Sequence, residues 1–174
     1  MKTRNYIILL TLFCSLTCIA QNDFDTYFLT KSLRIDFALS GNSKYQAAAI
    51  QQLREEPVWG GPQKNRIDKF NYGGYYVNVY DKTSNKLIYS RGFNTLFEEW
   101  RTTKQAQNET QSWTNSISVP FPKKTVLVEI TARNKEDMQF QTLLKTEIDP
   151  SSIFIDRGRL KESHVSRIQY KGNP

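Results

Sequence analysis

The chain of 174 residues is 39% hydrophobic, 24% charged and 13% aromatic, which suits one globular domain and is too short for two ordinary ones. Lys and Arg number 24 against 17 Asp and Glu, a formal charge of +7. With one histidine, His164, and two cysteines, Cys14 and Cys18, no disulfide framework, Cys/His zinc site, redox Cys-x-x-Cys or Cys/His nucleophile pair can be assembled.

Lys2 and Arg4 open the chain as a short positive segment. An apolar run over residues 6–19 follows, broken only by Thr11, Ser15 and Thr17. Cys18 and Ala20 then place small residues before a cleavage site, so residues 1–20 read as a secretory signal peptide and Gln21 as the new N-terminus. The run is too short for a membrane span, which takes roughly 20 apolar residues. Lipidation at Cys18 is the weaker alternative, because Ser15-Leu16-Thr17 is a poor approach to a lipidated cysteine. The exported chain, periplasmic or extracellular, keeps no cysteine and must be held by its own core. About 150 residues suffice, since a domain of that size buries roughly 70% of its extended surface.

Leu33, Ile35, Phe37 and Leu39 alternate with Arg34, Asp36 and Ala38, the period of a strand with one buried face. Ser40-Gly41-Asn42-Ser43 ends it as a turn. Residues 44–56, rich in Ala and Gln, are expected to form a short helix or an irregular crossover, closed by Pro57 and Gly60-Gly61-Pro62. After Gly73-Gly74 comes a second strand, with Tyr75, Val77 and Val79 on one face and Tyr76, Asn78 and Tyr80 on the other. Asp81 to Asn85 is a polar turn, and residues 86–89 return as its hairpin partner.

Leu96, Phe97 and Trp100 have helical spacing, and Thr95 with Glu98 fits a capping box. Residues 113–121 read as a strand ended by Pro120 and Pro122. Val126, Val128 and Ile130 alternate in another. After an Asn134-Lys135-Glu136-Asp137 turn, residues 138–148 form a further strand with Met138, Phe140, Thr142 and Leu144 on one side. Residues 153–155 extend briefly, and 164–170 are a last candidate strand. Six to eight strands with little helix predict a mainly β chain, an antiparallel β-sandwich, and residues 21–174 contain no linker or repeat that would divide it.

Catalytic inventory is thin. The metalloprotease pair His-Glu-x-x-His is absent, as is Gly-x-Ser-x-Gly. His164 reads as a surface residue. Glu55-Glu56 and Glu98-Glu99 are chain neighbours whose side chains point apart, and no Gly-rich phosphate loop precedes a helix. Asp81 to Asn85 is two residues short of an ordinary calcium ligand supply. Lys123-Lys124 and Arg157/Arg159 read as solvated turns, so no nucleic-acid patch is expected. Aromatic residues are the unusual feature. Trp59 in its Gly-rich loop, with Tyr72, Tyr76 and Tyr80, is a candidate set for stacking a glycan or anchoring a protein, against the plainer reading that most aromatics fill the core.

The string Lys86-Leu87-Ile88-Tyr89-Ser90-Arg91-Gly92-Phe93, followed by Thr95-Leu96-Phe97-Glu98-Glu99-Trp100-Arg101-Thr102-Thr103, resembles the N-terminal domain of bacterial secreted zinc metallopeptidases of the IgA Peptidase family. Ser32-Leu33-Arg34-Ile35-Asp36, Tyr80-Asp81, Val119-Pro120-Phe121-Pro122-Lys123 and Ile148-Asp149-Pro150 agree in order, so the resemblance spans roughly residues 26–170. It implies a β-sandwich-like, non-catalytic accessory domain, with the zinc-binding His-Glu-x-x-His in a domain beginning about where Gly172-Asn173-Pro174 lies. No zinc ligand, catalytic residue or cofactor carries over to this chain. The implied partner is a zinc metallopeptidase catalytic domain, and the alternative is an independent module binding glycan or host protein. Tyr89, Arg91, Gly92, Phe93, Phe97 and Trp100 form the candidate structural motif. Within it, Arg91 is expected to pair with Glu98 or Glu99 if buried, and Gly92 to serve a positive φ or a close backbone approach.

Mass spectrometry of the exported protein is expected to give a mature chain beginning at Gln21. Intact Met1, or a lipid on Cys18, contradicts the signal-peptide reading.

Overall fold

In the computed structural model, which describes residues 23–158, the apolar alternation seen in the sequence becomes the inner face of one long strand. After a single helical turn, α1 (Phe24–Tyr27), the chain runs through β1 (Phe28–Gly41), β2 (Gln46–Glu56), β3 (Tyr75–Asp81) and β4 (Leu87–Phe93). A short helix α2 (Leu96–Trp100) and a 3₁₀ turn (Gln105–Gln107) precede β5 (Gln111–Pro122), β6 (Val126–Arg133), β7 (Phe140–Ile148) and β8 (Ile155–Asp156). The candidate strand at 164–170, like the signal peptide and His164, lies outside the described residues.

The strands form two four-stranded sheets, ordered β5-β1-β2-β8 and β4-β3-β6-β7. Every pairing is antiparallel except the two-residue match of β8 with β2. The sheets face each other as the expected β-sandwich. Leu33, Ile35, Phe37 and Leu39 of β1 are all 0% exposed. They meet Tyr75, Val77 and Val79 of β3 and Val128 and Ile130 of β6 in one cluster. Each fully buried side chain of this kind contributes roughly 1.5–3 kcal/mol, and no cysteine lies within the described residues to staple them.

Two expectations are corrected. Residues 44–56 are not a helix: β2 pairs along ten positions with β1. Its Ala and Gln residues favour helix in isolation, but the neighbouring strand offers a continuous row of hydrogen-bonding groups, and tertiary pairing overrides a weak local preference. In β7, Phe140, Thr142 and Leu144 do not share one side. A register shift opposite Ile130/Thr131 moves Leu144 toward the core, while Thr142 hydrogen-bonds Glu129 on the outer face at 2.9 Å. An extra residue in one strand reverses which side chains point inward. Met138 precedes the strand, exposed, with a φ of 61°.

The hairpin is as read from sequence. Asp81 accepts from the Ser84 amide at 2.8 Å and hydroxyl at 2.6 Å, and Asn85 takes a φ of 54°, a conformation asparagine tolerates well. The adjacent acid pairs are tied into ion pairs or turned apart: Glu55 contacts Lys31 at 2.5 Å and Arg157 at 3.4 Å, and Glu56 contacts Arg34 at 3.2 Å. Thr95 caps α2, its hydroxyl accepting from the Glu98 amide at 3.1 Å.

Helix α2 turns Phe97 and Trp100 onto the sandwich. Phe97 is 1% exposed, its ring stacks on Trp100 at 5.8 Å, and the indole donates to Gln105 Oε1 at 3.2 Å. Trp100→Ala is therefore expected to cost about 3–5 kcal/mol and to lower the melting temperature by on the order of 10 °C. Thermal unfolding that leaves the midpoint unmoved would show that the indole is not part of the core.

Candidate functional site

A sandwich has two open sides, and here they differ. On one, β2 of the first sheet packs against β7 of the second. On the other, the edge strands β4 and β5 both line a cleft of about 520 Å³, together with Val58, Trp59, Gly60 and Gly61 of the segment linking β2 to β3.

The inner side chains of β4 set the chemistry of this cleft. Tyr89, Arg91 and Phe93 lie opposite Val79, Val77 and Tyr75, so all three face the interior side of an edge strand. Tyr89 is buried against Trp59, edge to face at 5.8 Å. Phe93 stacks on Tyr75 at 5.5 Å and meets Phe37 edge-on at 6.0 Å. Arg91, between them, reaches the mouth and is exposed. Its expected pairing is corrected: among the described residues no carboxylate comes within ion-pair distance of Arg91. Glu98 is turned back over Gly74, 3.9 Å from Lys135, and Glu99 points to solvent. The Tyr89 hydroxyl is buried without a hydrogen-bond partner. Burial holds its pKa above the ordinary tyrosine value, with the Arg91 charge acting the other way.

Gly92 realises the close approach and not the positive φ. It lies directly across from Tyr76, whose ring folds over it so that an added Cβ would sit 2.8 Å from Cζ. The Tyr76 hydroxyl and the Gly92 amide both donate to Asp68 Oδ2, at 3.1 and 3.2 Å. This clasp fastens the β2–β3 segment along the edge of β4. Arg66 completes the attachment: its carbonyl accepts from the Ser90 amide at 3.0 Å, its Nε donates to the Ile88 carbonyl at 3.2 Å, and its guanidinium lies 5.9 Å from the Phe24 and Phe28 rings.

The candidate binding aromatics do not form one face. Trp59 is 9% exposed, donates to the Pro62 carbonyl at 3.3 Å and has its indole against Gly61, where a Cβ would be 2.3 Å from the ring. Tyr76 is buried between Gly92 and Phe140, with ring centroids 5.1 Å apart. Tyr80 is half-buried and donates to Glu129 at 3.1 Å; burial, reinforced by that carboxylate, pushes it up to about 12. Tyr72 is exposed and stacks on exposed Phe70 at 6.0 Å. Glycines beside an aromatic marked close packing here, not display.

Arg66, Asp68 and the uncharged edge of β5 carry no motif in the sequence. The only signal was compositional, since a segment of Gly, Asn and Asp bridging two sheets needs anchors of its own.

The family model described as Peptidase M64 N-terminus matches residues 23–144. Comparison with curated proteins finds no match.

The clasp makes a pH-dependent expectation. Burial, the largest influence on Asp68, raises its pKa, but hydrogen bonds from the Phe70, Gly92 and Asn71 amides and the Tyr76 hydroxyl together outweigh it, and the net shift is downward. A lowered carboxyl pKa lends stability that is whole above the ordinary Asp value of about 3.9 and is lost as pH falls through the folded value. The Gly92 amide resonance is expected to titrate with a midpoint below about 3.9, and Asp68→Asn to abolish that titration. A midpoint at or above the ordinary value contradicts the clasp.

Proposed function

The chain belongs to the peptidase M64 N-terminus family, and we propose that it is an exported, non-catalytic accessory domain that packs on, positions or stabilises a zinc metallopeptidase domain. Two kinds of observation support this. The family is defined by the N-terminal part of the peptidase and not by its catalytic region. On this reading the zinc belongs to the partner domain. In addition, Ile153 and Phe154, 88% and 82% exposed, are consecutive in the turn between β7 and β8. They lie at the C-terminal end of the described fold, the end that a following domain would meet. Adjacent large apolar side chains left in water mark an interaction surface better than scattered ones do.

An independent glycan- or protein-binding module is the second reading, and the stacked, exposed Phe70 and Tyr72 favour it. The row of displayed aromatics that would make it the stronger one is missing, because Trp59 and Tyr76 are buried.

Residues 21–174, mixed with a peptidase M64 catalytic domain, are expected to bind it, and to show no chelator-sensitive proteolysis alone. Changing Ile153 and Phe154 together to Ser should weaken binding by about tenfold, or 1.4 kcal/mol. The isolated domain should keep its stability to within about 0.5 kcal/mol, as surface changes do. Proteolysis by the purified chain, or no binding to the catalytic domain, would reject the accessory reading, and binding indifferent to the double substitution would reject Ile153 and Phe154 as its surface.

A further inference from the structure

Edge strands invite pairing by another chain, and folded proteins blunt them. Three of the four edges here are treated in that way. The β4 edge is covered by the Arg66 segment, through Ser90. β7 carries exposed Lys145 and Glu147. β8 is two residues long.

β5 is the exception. Among the described residues it pairs with β1 alone, and no backbone hydrogen bond joins residues 112–118 to an element on its other side. From Gln111 to Pro122 it contains no charged residue, and proline enters only at 120 and 122. Its outward side chains over the free stretch are the small Ser112, Thr114, Ser116 and Ser118. A regular antiparallel strand presents its amides and carbonyls alternately to either side, so about every second residue of this stretch turns both away from β1; residues 115–118 line the cleft, and the Trp113 carbonyl accepts from Asn115 Nδ2 at 2.9 Å. Across that cleft stands Arg91, exposed and without a carboxylate partner among the described residues. Glu56, the acid lining the same cleft, is held by Arg34 at 3.2 Å.

We propose that β5 is a strand-addition site for an extended acidic peptide segment of a partner protein, which pairs with residues 112–118 while Arg91 holds one of its carboxylates. Backbone pairing supplies affinity that does not depend on sequence, and the cation opposite supplies selection and register. A second copy of this chain is a poorer occupant. Pairing two β5 strands would bring no carboxylate to either Arg91, because β5 has none. The site is distinct from the Ile153 and Phe154 surface, so the proposal stands or falls apart from the accessory reading.

The probe is the heptapeptide Thr-Val-Thr-Glu-Thr-Val-Thr, acetylated and amidated, with versions carrying Lys for Glu or N-methyl groups on alternate amides. With residues 21–174 at about 0.15 M salt, the Glu peptide should bind and slow amide exchange at residues 112–118. The Lys peptide should bind about tenfold more weakly, and N-methylation on the pairing edge should abolish binding. Arg91→Glu should reverse the preference, so that the Lys peptide binds the variant better than the Glu peptide does. This reversal also shows that the variant is folded. Absence of binding by the Glu peptide, equal binding of the Glu and Lys peptides, or protection outside β5 would overturn the proposal. So would a dimer in sedimentation whose β5 amides are already protected without peptide.

Discussion

The strand β1 has ladder partners on both sides for most of its length, β5 on one and β2 on the other, while its inward side chains are withdrawn from water altogether. Those two conditions reinforce each other. A strand hydrogen-bonded on both edges has no freedom to slip, and a slip of one residue would turn Leu33, Ile35, Phe37 and Leu39 outward and bring Arg34 and Asp36 into the core. With no covalent cross-link among the described residues, burial along this strand is what sets the spacing of the two sheets.

The outer face of β1 shows the same register from the other side. Arg34 contacts Asp36 at 3.0 Å, and Asp36 also accepts from Ser116 of β5 at 2.5 Å. On β2, Arg54 reaches Asp156 of β8 at 2.6 Å. Half-exposed ion pairs of this kind contribute little energy singly. Arranged across β5, β1, β2 and β8, they still penalise any shift that would place like charges together.

The two open sides of the sandwich have different fates for a reason lodged in the β2–β3 segment. It must cross from one sheet to the other, and it does so past the start of β1, where the Trp59 amide bonds the Thr30 carbonyl at 2.9 Å. It then runs along β4, held by Arg66 and Asp68. That path uses up the free edge of β4 and leaves the edge of β5 without a second strand among the described residues. The clasp at Gly92 is thus both a structural device and the reason a cleft exists: Tyr76 can lie flat only where no Cβ stands, and its hydroxyl then positions the carboxylate that fixes the loop.

The sequence alone determined the sandwich class, the hairpin at Asp81, the cap at Thr95, the burial of Trp100 and the need for a glycine at position 92, because each depends on alternation, turn chemistry or packing within a few residues. The string from Lys86 to Thr103 also carried the family resemblance. The tertiary structure decided the rest. Residues 46–56 became a strand because β1 was there to pair with them, and one bulge placed Leu144 on the opposite face from Phe140. Arg91 was left exposed because Glu98 turned toward Gly74, whereas Trp59 and Tyr76, which composition could have displayed, were covered by neighbours distant in the chain. Above all, the lack of a second partner strand for β5 among the described residues is invisible in its own sequence. Whether a strand's amides are satisfied depends on which other strands reach it, and that is a property of the whole sheet order.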